Sequence, residues 1–225
     1  VLDHCIQFAR GRSKWDFGNK VLYDLCATHP RHTRDDVIIA KVWLIGRSYA
    51  AAIERGRPDA APGDAFYEDV VAVKIMDSPI DDWLRAVRRA PTSGARHVAT
   101  ILSVHNNLTR LFSEISGKDR RSLASKYLHF HAPDYFYIYD TRAVKGLSAF
   151  TGLLGRQYAT PGEYDPAYKS FVLRCVALRQ FLQDHKKARL DPRRFDNFLL
   201  HVAGLDEDTR AGLDDELELL RESAG

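Results

Sequence analysis

The residues of this chain best suited to chemistry cluster in one stretch, Ser122–Val144, which reads SLASKYLHFHAPDYFYIYDTRAV. A helix with a basic face leads through Pro133 into Tyr135, Phe136, Tyr137 and Tyr139. The aromatics end on a single carboxylate, Asp140. Thr141-Arg142-Ala143-Val144 then opens an amphipathic segment, so Asp140 stands at a helix N-terminus. A carboxylate there can cap the unpaired N–H groups of the first turn. Walled by aromatics, it can instead serve as a catalytic group. The two roles are compatible.

Other chemistry-bearing types lie close by in sequence. Lys118, Arg120, Arg121 and Lys126 form a basic cluster that can contact phosphates, with Ser122 and Ser125 as neutral donors; a solvated helix face has the same composition. His129 and His131 do not share a helix face. At a frayed helix end before Pro133, however, both can turn onto one metal ion. His29 and His32 make a second, weaker pair. Arg47, Ser48 and Tyr49 interrupt an otherwise apolar helix that also carries Trp43, and polar side chains there need partners or a pocket wall to form. Trp15–Lys20 is aromatic, polar and glycine-punctuated, and reads as a loop that packs on the N-terminal helix or reaches a pocket. Arg193, Arg194, Asp196 and Asn197 line either a cleft or a helix surface.

The elements that must position these residues are helical by period. Asn19–Thr28 places Val21, Leu22, Leu25 and Cys26 on one face. Thr33 reads as an N-cap opening a segment through Arg55. Asp64–Met76 is a candidate helix, although its VVAVKI run suits a strand. Ser78-Pro79 followed by Asp81 and Asp82 marks a helix start, with Ser78 as cap and Pro79 at the first helical position. Further helices are expected over Ala95–Ile115, Ser122–His131, Thr141–Leu154, Pro166–Lys187, Pro192–Val202 and Leu213–Arg221. Loops are expected at Arg57-Pro58, Ala61-Pro62-Gly63 and Pro161-Gly162. Only Phe136–Tyr139 reads as extended, with Tyr137 and Tyr139 on one side and Phe136 and Ile138 on the other. The expectation is an all-α chain of about ten helices.

Composition sets the outer limits. At 225 residues, 45% apolar and 28% charged, the chain can bury a proper core. No apolar run has the length of a membrane span, and no signal peptide is recognised. Cys5, Cys26 and Cys175 are odd in number and sit in apolar contexts, which suits buried thiols of a reducing compartment, the cytoplasm. Net charge is +3 but unevenly spread. From Asp206 onward eight acids face only Arg210 and Arg221, and the remaining 31 basic and 22 acidic residues carry +9. That division predicts a basic body over 1–205, able to bind a polyanion, and an acidic C-terminal helix or tail over 206–225 facing away from it.

The segment Ile115–Gly146 resembles the helix-hairpin-helix DNA glycosylase superfamily. With Ala124 laid on the small residue that follows the family's hairpin, Asp140 falls without a gap on the family's catalytic Asp. Arg121 falls on the hairpin's basic residue, and Thr141 on the Thr after the Asp. Val37–Glu54 resembles the helix behind the family's hydrolytic pocket. The hairpin itself departs from the family's Gly-x-Gly, since Lys118, Asp119 and Arg120 stand there. Ser122 occupies the position of the Schiff-base lysine.

The resemblance implies two helical lobes flanking a cleft and a monofunctional enzyme without cofactor, metal or iron–sulfur centre. It implies a monomer that flips and excises a damaged or modified base from double-stranded DNA, in repair or in defence against phage DNA. Asp140 is then the catalytic carboxylate that stabilises the oxocarbenium-like sugar and orients water. Trp43, Arg47, Tyr49, Tyr127, His129, His131, Tyr137 and Tyr139 are the candidate base pocket, where aromatic faces replace lost stacking. Lys118, Arg120, Arg121, Ser122 and Lys126 are the candidate DNA contacts. Two rivals stay open: a metal-dependent nuclease or hydrolase using His129, His131 and Asp140, and a non-catalytic nucleic-acid-binding module in which Asp140 only caps.

Overall fold

The computed structural model describes residues 1–55, 64–150 and 162–222, and these are helical throughout, with no strand among them. The all-α expectation therefore holds. The described residues divide into two compact units. An inserted unit comprises residues 14–55, 64–136 and 162–165. A flanking unit is assembled from both ends of the chain, residues 1–13, 137–150 and 166–222.

The inserted unit holds α2 (Asp16–Thr28), α3 (Asp35–Ser48), α4 (Asp64–Phe66), α5 (Val73–Met76), α6 (Ile80–Arg89), α7 (Gly94–Ser116) and α8 (Arg121–His131). A wide π turn, Tyr67–Ala72, joins α4 to α5, so the VVAVKI run is helical and not a strand. The long helix α7 buries Val98, Ile101, Leu102, Leu108, Phe112 and Ile115, which recur at threes and fours. It stops at Gly117, whose φ of 69° is left-handed and carries no Cβ penalty. Four residues later α8 begins. That helix is buried from Leu123 through His131 and packs on α2, α3 and α7. Its polar side chains must therefore find partners inside.

Helix α2 begins at Asp16 instead of Asn19, so the Trp15–Lys20 stretch is mostly helix and not the expected loop. Two further boundaries of the inserted unit differ from expectation for local reasons. Helix α3 ends at Ser48 rather than Arg55, because Ala50 turns left-handed (φ 52°) and folds the chain back on the helix. A Cβ at Gly46 would lie 3.1 Å from Ala52 Cα, so the return needs glycine there. At α6 the cap is Pro79 and the helix starts at Ile80. The Ser78 hydroxyl donates to the Ile75 carbonyl at 2.7 Å, closing the preceding helix instead of capping the next.

The flanking unit holds α1 (Leu2–Arg10), α9 (Thr141–Ser148), α10 (Pro166–Lys186), α11 (Pro192–Val202) and α12 (Glu207–Glu222). Helix α11 is packed by α1 and α9. Asp191 caps it, accepting from the Arg194 N–H at 2.7 Å, with Pro192 in the first turn. Helix α12 begins at Glu207, six residues before the expected start, since Asp206 accepts from the Thr209 N–H at 2.8 Å. It is no loose tail. Leu213 and Leu217 are buried, and Glu216 accepts from the Leu2 N–H at 2.9 Å and from Lys186 Nζ at 2.7 Å. Burial alone would raise the Glu216 carboxyl, but these hydrogen bonds and nearby positive charges pull it down to about 2. The expected loops at Arg57-Pro58 and Ala61–Gly63, Pro161, and the expected helix beyond Phe150 lie outside the described residues.

Candidate functional site

Asp140 sits at the head of α9 in extended backbone (φ −154°, ψ 174°), half-buried, and its Oδ1 accepts from the Ala143 N–H at 2.9 Å. The carboxylate is thus held by the positive end of a helix. The helix in turn is fixed tightly, because a Cβ on Gly146 would lie 2.0 Å from the Leu199 carbonyl oxygen of α11. Such a carboxylate can face a cationic transition state without rearranging. Arg142 and Lys145 follow on α9, three apart and exposed, and can meet phosphate groups near it. Their i, i+3 spacing is readable in the sequence, where it has the pattern of an ordinary solvated helix face.

The aromatics leading into Asp140 do not alternate. Phe136, Tyr137 and Ile138 are all buried, while Tyr135 and Tyr139 are half-buried. Within the flanking unit, Arg179 donates to the Tyr137 hydroxyl at 2.8 Å, its guanidinium 5.7 Å from that ring's centroid. Tyr168 donates to the Tyr137 carbonyl at 3.2 Å. Tyr139 meets Phe171 edge to face, with ring centroids 5.2 Å apart. Tyr137 is therefore a core residue, whereas Tyr139 retains a partly open face.

In the inserted unit, α8 carries two separate polar clusters. The first is enclosed. His32 Nδ1 lies 2.6 Å from Asp81 Oδ1 and its Nε2 lies 2.8 Å from the Tyr127 hydroxyl. His131 stacks on Tyr127 with centroids 4.4 Å apart, and its Nδ1 donates to the Tyr127 carbonyl. Burial, reinforced by Lys41, pushes His32 down to about 4. A neutral His32 then donates from Nδ1 to the carboxylate and accepts the Tyr127 proton at Nε2. The contact with Asp81 is a hydrogen bond to a carboxylate, not an ion pair, near neutral pH. Burial likewise drives His131 well below its ordinary value and Tyr127 well above. Buried Lys41 is lowered as well, and its Nζ donates to the Arg31 carbonyl at 3.3 Å. This cluster is a satisfied polar core with one exception, His131 Nε2, which has no hydrogen-bond partner.

The second cluster reaches the surface. Lys126, 2% exposed, donates from Nζ to Ser122 Oγ at 2.6 Å and lies 5.9 Å from the Tyr49 ring centroid. Tyr49 donates to Asn19 Oδ1 at 2.7 Å, and its ring meets Phe130 edge to face. His129 Nδ1 donates to the Phe136 carbonyl at 2.8 Å, which leaves Nε2 to accept from the Tyr23 hydroxyl at 2.6 Å. Tyr23, Tyr49 and Ser122 are half-buried. Asn19 stood inside the Trp15–Lys20 stretch, but nothing in its type alone distinguished it.

The remaining candidates lie apart from both clusters. Trp43 and Arg47 are on the exposed side of α3, the guanidinium 6.0 Å from the indole, and Arg47 pairs with Glu54. Of the basic hairpin, Lys118 is exposed. Arg120 bonds Ser116 Oγ and the Arg55 carbonyl, and Arg121 pairs with Asp119 and Asp165. Asp119 also accepts the Arg121 N–H at 2.8 Å, so a carboxylate already occupies one amide at the start of α8. Lys126 is inside rather than on the solvated face expected of a phosphate contact. His129 and His131 turn to different partners, and among the described residues no group of three or more His, Cys, Asp or Glu is placed to hold a metal. The three thiols are buried, and burial pushes Cys26 up to about 12. A groove of about 680 Å³ opens at the far end of α9, but Asp214, Asp215, Glu218 and Glu222 line it, a poor surface for a polyanion. Among the described residues no helix is long and apolar enough to cross a membrane.

Compared with protein-family models, curated proteins and solved structures, the chain finds no match in any of the three.

Proposed function

We propose that the protein is a DNA glycosylase of the helix-hairpin-helix type, which flips a damaged or modified base and hydrolyses its N-glycosidic bond without cofactor. The observation that carries this reading is the half-buried Asp140 carboxylate, fixed at the N-terminus of a helix whose next turns carry exposed Arg142 and Lys145. As the bond to the base breaks, positive charge grows on the sugar. Asp140 stabilises that charge and orients the attacking water, while the cations hold the flanking phosphates. The short link from α7 to α8 has the helix-hairpin-helix order that the sequence resemblance implies. Two lobes about a cleft and action as a monomer belong to the same proposal.

The test is base release from duplex DNA carrying a panel of modified bases, with alkali to reveal abasic sites. Wild type is expected to leave alkali-labile sites on unbroken strands, insensitive to chelator. Asp140→Asn, which caps as well as Asp, should lose at least roughly a hundredfold in rate, the scale of general acid–base catalysis. Unchanged activity in that variant, or strand cuts that a chelator abolishes, would remove the reading in favour of a binding module or a metal nuclease.

One observation favours a second chemistry. Lys126 reaches back one turn to within 2.6 Å of Ser122 Oγ, so an amine stands beside the side chain that occupies the resemblance's lysine position. An unprotonated amine can attack C1′ of the sugar as the base leaves with the electrons of the glycosidic bond. The nitrogen then gives up its protons, one of them to O4′ as the C1′–O4′ bond opens, which leaves an imine. Trapping with borohydride separates the two: a covalent protein–DNA adduct lost in Lys126→Gln supports amine attack, and its absence during base release supports water.

A further inference from the structure

The Asn19 side chain is 7% exposed, and its Nδ2 has no hydrogen-bond partner. A buried amide N–H₂ without an acceptor costs about 1–3 kcal/mol, so such groups ordinarily have one. Its orientation is set by Tyr49, whose hydroxyl donates to Oδ1 at 2.7 Å and so leaves the nitrogen as the donor end. Around the same tyrosine lie a buried ammonium, Lys126 Nζ, 5.9 Å from the ring centroid, and the edge of Phe130, 5.5 Å away. Tyr49, Tyr23 and Ser122 are half-buried at the edge of the cluster. Its floor, Asn19 Nδ2 and Lys126, is out of contact with solvent, so a ligand enters by displacing an edge side chain.

The chemistry of this group is one-sided. A planar aromatic face is joined by a neutral donor and a cation. A ligand that matches is a flat heterocycle presenting a carbonyl oxygen. We infer that Asn19, Tyr49 and Lys126 form a nucleobase-binding site selective for oxo-bearing bases. In it the ring stacks on Tyr49 and its carbonyl oxygen accepts from Asn19 Nδ2. The choice of a base as ligand rests on the glycosylase reading; the preference for a carbonyl oxygen rests on the donor end of Asn19. An amino-bearing base would set N–H against N–H and leave both unsatisfied, a loss comparable with the discrimination hydrogen-bonding sites show.

The probes are free hypoxanthine and adenine, two purines of nearly one shape that differ in an oxo or amino group. They are titrated to millimolar concentration against the full chain, with binding followed by ligand-observed NMR. Hypoxanthine is expected to bind roughly tenfold or more tightly than adenine, the worth of one neutral hydrogen bond. Asn19→Asp keeps the acceptor for Tyr49 and removes the donor, and should abolish the preference; Asn19→Ala should do the same, with the thermal midpoint measured for both. An adenine preference, a preference that survives Asn19→Asp, or no binding of either base by wild type would each overturn the inference. In duplex DNA, the same variants are compared on deoxyinosine. Base binding that depends on Asn19 without any excision upholds the site and removes the glycosylase reading. Excision that ignores Asn19 upholds the reading and removes the site.

Discussion

At the scale of single residues, the capping role of Asp140 was legible. An Asp between an aromatic run and Thr-Arg-Ala-Val reads as a helix cap, and it accepts the Ala143 N–H as a cap does. Removing only that role is expected to cost little. Asp140→Ala should lower unfolding stability by about 1 kcal/mol and Asp140→Asn by a few tenths, measured by urea titration. A far larger loss in Asp140→Asn would mean that the negative charge, and not the cap, holds the fold. The partners of buried side chains were not legible. His32 and Asp81 are far apart in sequence and meet only because α6 returns to the start of α3. Lys126 read as one more surface cation because basic residues precede it, and its burial follows from α8 being covered on every side.

At the scale of elements, helical period located nearly every helix, and helix α11 begins and ends at the expected residues, Pro192 and Val202. The ends that moved were those decided by a neighbour. Ala50 is left-handed although no glycine announces it, because the chain must fold over Gly46. Ser78 offered a cap, but the carbonyl of Ile75 competes for its hydroxyl and wins. The closest element contact in the flanking unit is equally invisible in sequence, since Gly146 reads as a mild helix breaker rather than a fitting surface. With Leu199 carbonyl oxygen 2.0 Å from a built Cβ, Gly146→Ala must push α9 away from α11. The expected loss is roughly 2–4 kcal/mol, at the upper end of overpacking. Thermal unfolding measures it, and a variant of wild-type stability would show that the helices separate freely. Because α9 carries Asp140, base release should fall in this variant even below its melting temperature.

At the scale of the molecule, the charge pattern divides the sequence into a basic body and an acidic helix or tail. The described residues group as one unit inserted within another, and α12 joins the flanking unit by burying Leu213 and Leu217 and tying Glu216 to Lys186 and Leu2. Charge asymmetry could not reveal that, since most acids of α12 are exposed while Leu213, Leu217 and the inward-turned Glu216 decide where it packs. The inserted unit holds the deeply buried neutral histidines His32, His105 and His131, with burial taking His105 down to about 3. A histidine whose folded pKa is depressed contributes its full stability above its unfolded value, about 6.5, and loses it as pH falls through the folded value. For His32 the window runs from about 6.5 down to about 4, and the loss amounts to about 3 kcal/mol. The inserted unit should therefore weaken on acidification. Trp15, Trp43 and Trp83 all lie in that unit, so urea midpoints followed by tryptophan fluorescence at pH 7 and pH 4.5 report on it. Equal midpoints would show that these rings are protonated without cost.

The way the flanking unit is assembled also dictates an order of events on the ribosome. Helix α1 is made before the inserted unit, and the helix it packs against, α11, emerges about 190 residues later. At translation rates of about 5–20 residues per second, that is a wait of roughly 10–40 seconds. Through that interval the face formed by Leu2, Cys5, Ile6 and Ala9, buried in the finished protein, waits for α11. The inserted unit is synthesised in the meantime and can close on itself, so its helices can fold while α1 still lacks α11. A chaperone acting on this protein during synthesis would find a binding site on the apolar face of α1.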